Sequence, residues 1–377
     1  MIHVKEQQWI WETLEKLTGK MEQVAQRSAH KIPYTTVQGV HDDRTGMISW
    51  WTNGFWGGMM WQLYQLTGKE FYRSIAEEVE EKLDKNLLDY LGLDHDNGFK
   101  WLPTAVADYR FTQNPASKNR GLLAAGNLAG RYNAKGRFIR AWNDWPHEVE
   151  NKSGWAIIDC MMNLPLLYWA SEEIKDPRFA QIASAHAETV AKNFVREDGS
   201  VAHIVEFDPE NGGKVRSHGG QGYADGSSWT RGQGWGIYGF VLSYLHTKNE
   251  LFLQTAKKIA DYFISNIPDN GLIPVDFHQP GDVKWEDSSA AAIASCGLIE
   301  LAKLLDEPLQ KKYLDAGLKL LKTLSDHRCN WNADEDDILL KCTAAYHDEE
   351  HEFSMIYGDY FFLEALLKLT EKERFLW

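Results

Sequence analysis

The chain has 377 residues, 44% of them apolar and 25% charged, the balance of a soluble globular protein with enough apolar side chains for a sizeable core. Its formal charge is −14, from 54 acidic against 40 basic residues, and without a basic run this excludes a nucleic-acid partner and an anionic membrane surface. The first residues lack the basic start and apolar stretch of a signal peptide, and every apolar run is interrupted too soon to span a bilayer, so a cytoplasmic location is expected.

Apolar residues recur at helical spacing almost throughout, in about twelve segments with no Pro/Gly/Ser-rich linker between them, so residues 1–377 are expected to form a single domain. Residues 55–66 are apolar nearly all round, as suits a helix buried on every side. After the turn Thr67-Gly68-Lys69 comes a one-sided helix, in which Phe71, Ile75, Val79 and Leu83 fall at i, i+4 spacing with Glu77, Glu78, Glu80 and Glu81 between them. Asn114-Pro115 marks another tight turn. Residues 157–170, 235–245 and 290–305 are again apolar, and the turns Lys175-Asp176-Pro177, Lys248-Asn249 and Asp306-Glu307-Pro308 follow them. One-sided helices resume at residues 251–264 and 309–324. Inner helix, short turn, outer helix, long loop, repeated about six times, predicts an all-α fold of six helical hairpins, an (α/α)6 barrel with its long loops gathered at one end.

Those loops (residues 49–56, 93–99, 140–145, 203–213, 221–235, 285–289 and 357–360) hold Gly, Asp, His and Trp that a core does not require. The 16 tryptophans suit either stacking platforms for sugar rings or a large helical core, and those in these polar, Gly-rich loops are hard to assign to a core. The four cysteines, Cys160, Cys296, Cys329 and Cys342, have no CxxC spacing and are expected to be reduced and mostly structural. Asp94-His95-Asp96 has no companion cluster with ligand spacing, and no phosphate loop, nucleophile elbow or dinucleotide fingerprint is present, so neither metal nor cofactor is expected.

Two acids stand out. Asp159 opens an inner helix whose next residues, Cys160-Met161-Met162-Asn163-Leu164, are nearly all apolar, and desolvation there raises a carboxyl toward the range of a general acid. The alternative is a carboxylate stabilised by a helix N-terminus. Asp96 precedes the turn signature Asn97-Gly98, and its alternative is an Asx-turn carboxylate. A pair of carboxylates suits glycoside cleavage. Arg231, among the glycines of Ser228-Trp229-Thr230-Arg231-Gly232-Gln233-Gly234-Trp235, offers a planar fork for a substrate carboxylate, or else is a buried arginine paired with an acid. His203 and His218 flank the turn-rich run 207–213.

These residues resemble the unsaturated glucuronyl hydrolases of glycoside hydrolase family 88. The resemblance is carried by Trp51-Thr52-Asn53-Gly54-Phe55-Trp56, Asp96-Asn97-Gly98-Phe99, Ile157-Ile158-Asp159-Cys160, Phe207-Asp208-Pro209-Glu210-Asn211-Gly212, Asp225-Gly226-Ser227-Ser228-Trp229-Thr230-Arg231-Gly232-Gln233, Asp287-Ser288-Ser289-Ala290 and Gly358-Asp359-Tyr360, in family order. It implies an (α/α)6 barrel acting on lyase-generated oligosaccharides, glycosaminoglycan fragments among them, that end in a 4,5-unsaturated uronic acid. The implied reaction protonates the vinyl ether at C4 and hydrates it at C5, after which the hemiketal opens. By the same resemblance Asp159 is the proton donor, and Asp96 is the second essential acid, ionised as nucleophile or electrostatic stabiliser. Arg231 is implied to hold the uronate carboxylate, Trp51, Trp142 and Trp235 to frame the sugar, and His203 and Gln221 to contact its hydroxyls.

One departure stands in Gly219-Gly220-Gln221-Gly222, where the family pattern has a pocket histidine at position 220. His218, on a glycine-loosened loop, is the candidate to reach the same space. Residues 341–354 show no clear sulfate-recognition pattern, which leaves sulfated and non-sulfated substrates open. The rival readings are an unsaturated rhamnogalacturonyl hydrolase acting on pectin fragments, an (α/α)6 epimerase or isomerase, and a non-catalytic oligosaccharide-binding protein.

Overall fold

The computed structural model describes residues 4–144, 150–370, 372, 374 and 376–377; Trp145, in one of the tryptophan-bearing loops, lies outside them. Six inner elements form a closed ring. They are α2 (Phe55–Thr67), the segment α4 (Asn97–Trp101) through α5 (Ala107–Thr112), α7 (Leu164–Ile174), α9 (Thr230–Thr247), α11 (Ser288–Lys303) and α13 (Ile356–Lys368). Each packs on the next, and α13 returns to α2. Around them run α1 (Val4–Arg27), α3 (Glu70–Leu87), α6 (Pro115–Gly130), α8 (Arg178–Asn193), α10 (Glu250–Ser265) and α12 (Leu309–His327). This is the (α/α)6 barrel that the alternation of apolar and one-sided helices predicts.

Burial follows that alternation. Along α9 and α11 nearly every side chain is buried, whereas α10 and α12 bury one stripe. The inner helices α2, α5, α7 and α9 end in a residue with left-handed backbone (Gly68, Gln113, Lys175 and Lys248), which turns the chain sharply into its outer partner. Asn114 and Asn249 then cap α6 and α10 by accepting from the amides of Ala116 and Leu251. The second inner element is broken where Pro103, which has no N–H to donate, falls within it. A π-helical turn, Leu102–Val106, joins α4 to α5 there.

The all-α expectation omits three small antiparallel sheets. Two are short hairpins, β1 (Thr36–Val37) with β2 (Val40–His41) and β3 (Tyr132–Asn133) with β4 (Phe138–Ile139), and the largest pairs β5 (Trp155–Ile157), β6 (Ile204–Phe207) and β7 (Lys214–His218). The run 203–213, expected as a loop, is therefore mostly a strand and its turn; Ile204, Val205 and Phe207 are buried while Glu206 is half-exposed. This sheet sits at the loop end of the barrel and leads straight into the site. All four cysteines are free, and three are buried. No helix of the described residues is long and apolar enough to cross a membrane.

Candidate active site

Strand β5 runs directly into a 3-10 turn, Ile158–Met162, that carries Asp159. The Ile158 amide donates to the carbonyl of His203, at the start of β6, so strand pairing sets Asp159 beside that histidine. His203 Nε2 stands 3.6 Å from Asp159 Oδ2. On the opposite side Asp96 precedes α4. Its own carboxyl does not cap that helix, and its amide donates to Asp94 Oδ1 at 2.9 Å.

Asn163 ties the two acids together, a role that its place in the chain did not reveal. Its amide nitrogen donates to Asp96 Oδ1 at 3.3 Å and to the Asp159 carbonyl at 3.2 Å, and its oxygen accepts from the Phe99 amide at 2.7 Å. The close crossing depends on Gly98, where a Cβ would lie 2.4 Å from the Asn163 Cα. The signal in the sequence was a lone amide in an apolar run, and the structure buries it fully.

Burial pushes the Asp159 carboxyl up to about 7, against the opposing pull of Arg231 and of the Trp235 indole N–H. Neither Trp235 Nε1 nor Asp159 Oδ2 completes a hydrogen bond. Asp96, 6% exposed, is also driven well above the carboxylate range, by burial first and then by the negative neighbours Asp94 and Asp159. Desolvation thus favours the protonated form of both acids. In the substrate-free structure Asp94 favours a proton on Asp96 and Arg231 favours charge on Asp159, which differs from the expected order. Burial holds His203 and His95 neutral, down to about 3 and about 4.

Beside Asp96 opens a cleft of about 370 Å³, the size that suits a small ligand. Trp50, Trp51 and Trp142 supply aromatic surface, and Asp94, Asp96, Asn143, Lys152 and Gln221 supply polar groups. Trp51 is braced from below by Phe99 and Tyr357, at ring distances of 5.5 and 5.0 Å. A larger groove of about 490 Å³ lies across Asn143, but neither acid lines it. Arg131, which does line it, is engaged with the carbonyls of Leu93, Arg140 and Ala141 and with Asn143. The site is therefore centred on the smaller cleft.

Three expectations need correction. Arg231 is 1% exposed and its terminal nitrogens are occupied: Nη1 donates to Asp287 Oδ2 and the Thr343 carbonyl, and Nη2 to the Ala344 carbonyl and, at 3.5 Å, to Gln221 Oε1. A two-pronged grip on a substrate carboxylate would have to displace these partners, so the buried ion pair is what the structure presents. Trp235 is fully buried against Phe99 and Phe361, at 5.1 and 5.4 Å, and offers no ring face to the cleft. His218 does not occupy the space near position 220. It lies on β7, paired with Glu206 at 3.0 Å and packed on Trp155 at 4.8 Å. Among the described residues no cluster of three or more His, Cys, Asp or Glu is arranged to hold a metal ion.

The family model for Glycosyl Hydrolase Family 88 matches residues 20–373. The chain belongs to glycoside hydrolase family 88. It is 38% identical over 326 residues to the unsaturated glucuronyl hydrolase of Bacillus sp. (strain GL1), covering 85% of this chain and 86% of that one. The crystal structure of the Bacillus sp. GL1 enzyme, described as responsible for the degradation of glycosaminoglycan, superposes with a TM-score of 0.89 at 34% identity, over 96% of this chain and 97% of that one. The unsaturated chondroitin disaccharide hydrolase of Streptococcus pneumoniae (strain ATCC BAA-255 / R6) is 34% identical over 340 residues, 87% of this chain and 83% of that protein. This family 88 chain is accordingly a glycoside hydrolase with an (α/α)6 barrel, and the barrel's loop end carries its paired acids.

Proposed function

We propose that this enzyme releases the 4,5-unsaturated uronic acid from the non-reducing end of lyase-generated, glycosaminoglycan-type oligosaccharides by hydrating the C4=C5 vinyl ether. The observation that carries the reading is the pair Asp96 and Asp159, which Asn163 ties together and whose carboxyls desolvation pushes upward, Asp159 to about 7, so that an acid and a carboxylate can stand side by side near neutrality. Hydration needs both. A carboxylic acid gives its proton to C4, and a nearby negative charge steadies the cation that develops at C5 and the ring oxygen. Water adds at C5 and returns a proton to the carboxylate, and the hemiketal opens to a keto acid, releasing the remaining sugar with its glycosidic oxygen.

In this reading Asp159 is the donor. The substrate carboxylate, attached at C5 beside the carbon that is protonated, brings negative charge close to Asp159 and strengthens its hold on a proton. Asp96 then carries the charge. Trp51 and Trp142 supply the aromatic walls of the cleft and Gln221 a polar group for sugar hydroxyls, while His203, neutral, faces Asp159. Trp235 contributes through its N–H edge toward Asp159 and Arg231 through its field. Four free cysteines accord with a reducing cytoplasm.

The test is a panel of unsaturated disaccharides from chondroitin, heparin and pectin, offered to the wild type and to Asp159→Asn, with products identified by mass spectrometry. Release of the unsaturated sugar as a keto acid from the chondroitin or heparin substrates by the wild type alone is expected. Turnover of the pectin disaccharide alone would transfer the enzyme to the rhamnogalacturonyl reading, and binding of every substrate without turnover would make it a binding protein.

A further inference from the structure

The Gly219–Gly222 loop packs its backbone against the His203 ring. The Gln221 amide donates to His203 Nδ1 at 3.0 Å. A nitrogen that accepts a hydrogen bond carries no proton, so in a neutral imidazole the proton must sit on Nε2. Nε2 is the atom that faces Asp159 Oδ2 at 3.6 Å. The amide can approach so closely because position 220 has no side chain. Gly220 is left-handed, with φ +57°, and a Cβ there would stand 1.9 Å from His203 Nδ1.

We infer that Gly220 and the Gln221 amide form a tautomer lock, which holds His203 as the Nε2–H form and keeps a neutral donor aimed at Asp159 through the proton-transfer cycle. Gly220 is thus a positioning residue, and the inference rests on the reading of Asp159 as the proton donor. A donor facing Oδ2 favours the carboxylate left after Asp159 has given up its proton, without adding a charge to the pocket. The opposite tautomer, with the proton on Nδ1, would set an N–H against the Gln221 N–H. It would then have to find its acceptor in the Gly219 carbonyl, which also acts on this ring. The surroundings hold the loop in place. Asp276 accepts from the Tyr223 and Ser228 amides and the Ser227 hydroxyl, and the Gln221 carbonyl accepts from the Tyr346 amide. The Trp229 ring packs on His203 at 4.3 Å.

The experiment uses substrate-free protein labelled with 15N-histidine, with His203 assigned by its loss in His203→Gln. Expected in the wild type are a bare Nδ1, a protonated Nε2 and a through-hydrogen-bond coupling between the Gln221 amide and Nδ1. Gly220→Ala should lose that pattern, and its kcat/KM should fall about tenfold or more. Gly226→Ala is the matched control: Gly226 lies in the same loop region at φ +79°, yet a Cβ there meets nothing within 4 Å. It should keep both the pattern and the activity. A protonated Nδ1 in the wild type, or nitrogen shifts in folded Gly220→Ala identical to the wild type's, would overturn the lock. The wild-type shifts and coupling decide the contact even where Gly220→Ala fails to fold. Because the nitrogen signals need no substrate, a locked His203 in a protein inactive on every unsaturated sugar would count against the proposed function alone.

Discussion

Asp159 sits where a carboxylate costs the fold stability, and that cost is measurable. Its folded-state value, about 7, lies above the ordinary 3.8, so the folded protein holds this proton more tightly than the unfolded chain. Stability from this group is complete at acid pH, and it declines as pH rises from about 4 through about 7. Asp159→Asn should therefore raise the melting temperature at pH 8 more than at pH 5 while abolishing turnover; calorimetry at the two values checks it, and equal shifts would contradict the burial. The same sign governs catalysis. A donor that must be protonated predicts a kcat/KM that falls as pH rises past about 7, and a profile flat to pH 9 would remove Asp159 from that role. The burial behind both predictions was legible in the sequence, because the residues following Asp159 are almost all apolar. The upward shift of Asp96 was not, since it comes from burial and then from Asp94 and Asp159 meeting it in space. Arg231 was legible only as a choice, and its partner Asp287 comes from another helix.

At the scale of elements, the crossing of α4 with the 158–162 turn fixes the distance between the acids, and Asn163 is its fastener. Asn163→Ala would strand the buried Phe99 N–H and remove the bridge from Asp96 to the Asp159 carbonyl. The expected loss is about 1–3 kcal/mol of stability, read by urea unfolding, together with reduced kcat. A variant as stable as the wild type would mean that another group takes over those contacts. The inner and outer helices, their caps and their short turns were readable because each obeys a local period or a local capping rule, as at Asn114-Pro115 and Asn249. The β5–β6–β7 sheet was not. Its strands are three to five residues long, one is 47 residues from the next, and their alternation is too brief to stand out beside turn residues such as Pro209, Asn211 and Gly212.

For the molecule as a whole, closure of the ring decides how it behaves. Because α13 packs back on α2 and the main core cluster extends from α1 to Trp377 beside one small cluster of Ala141, Trp155, Ile157 and Ile204, we expect one cooperative unfolding transition, coincident by tryptophan fluorescence and far-ultraviolet circular dichroism. Two separated transitions would contradict a single domain. The toroid was legible as an alternation of helix types, whereas its closure required the contact between the first and last inner helices, which no local pattern encodes. Closure gathers the loops that bring Asp96, Asp159, Asn163 and His203 together from distant parts of the chain, and the central claim is that this assembly protonates and hydrates an alkene. The most direct test follows the ultraviolet absorbance of the conjugated alkene in unsaturated chondroitin and heparin disaccharides mixed with the wild type and with Asp159→Asn. Loss of absorbance with the wild type and none with the variant is the predicted result; cleavage of the disaccharide with the absorbance fully retained would contradict it.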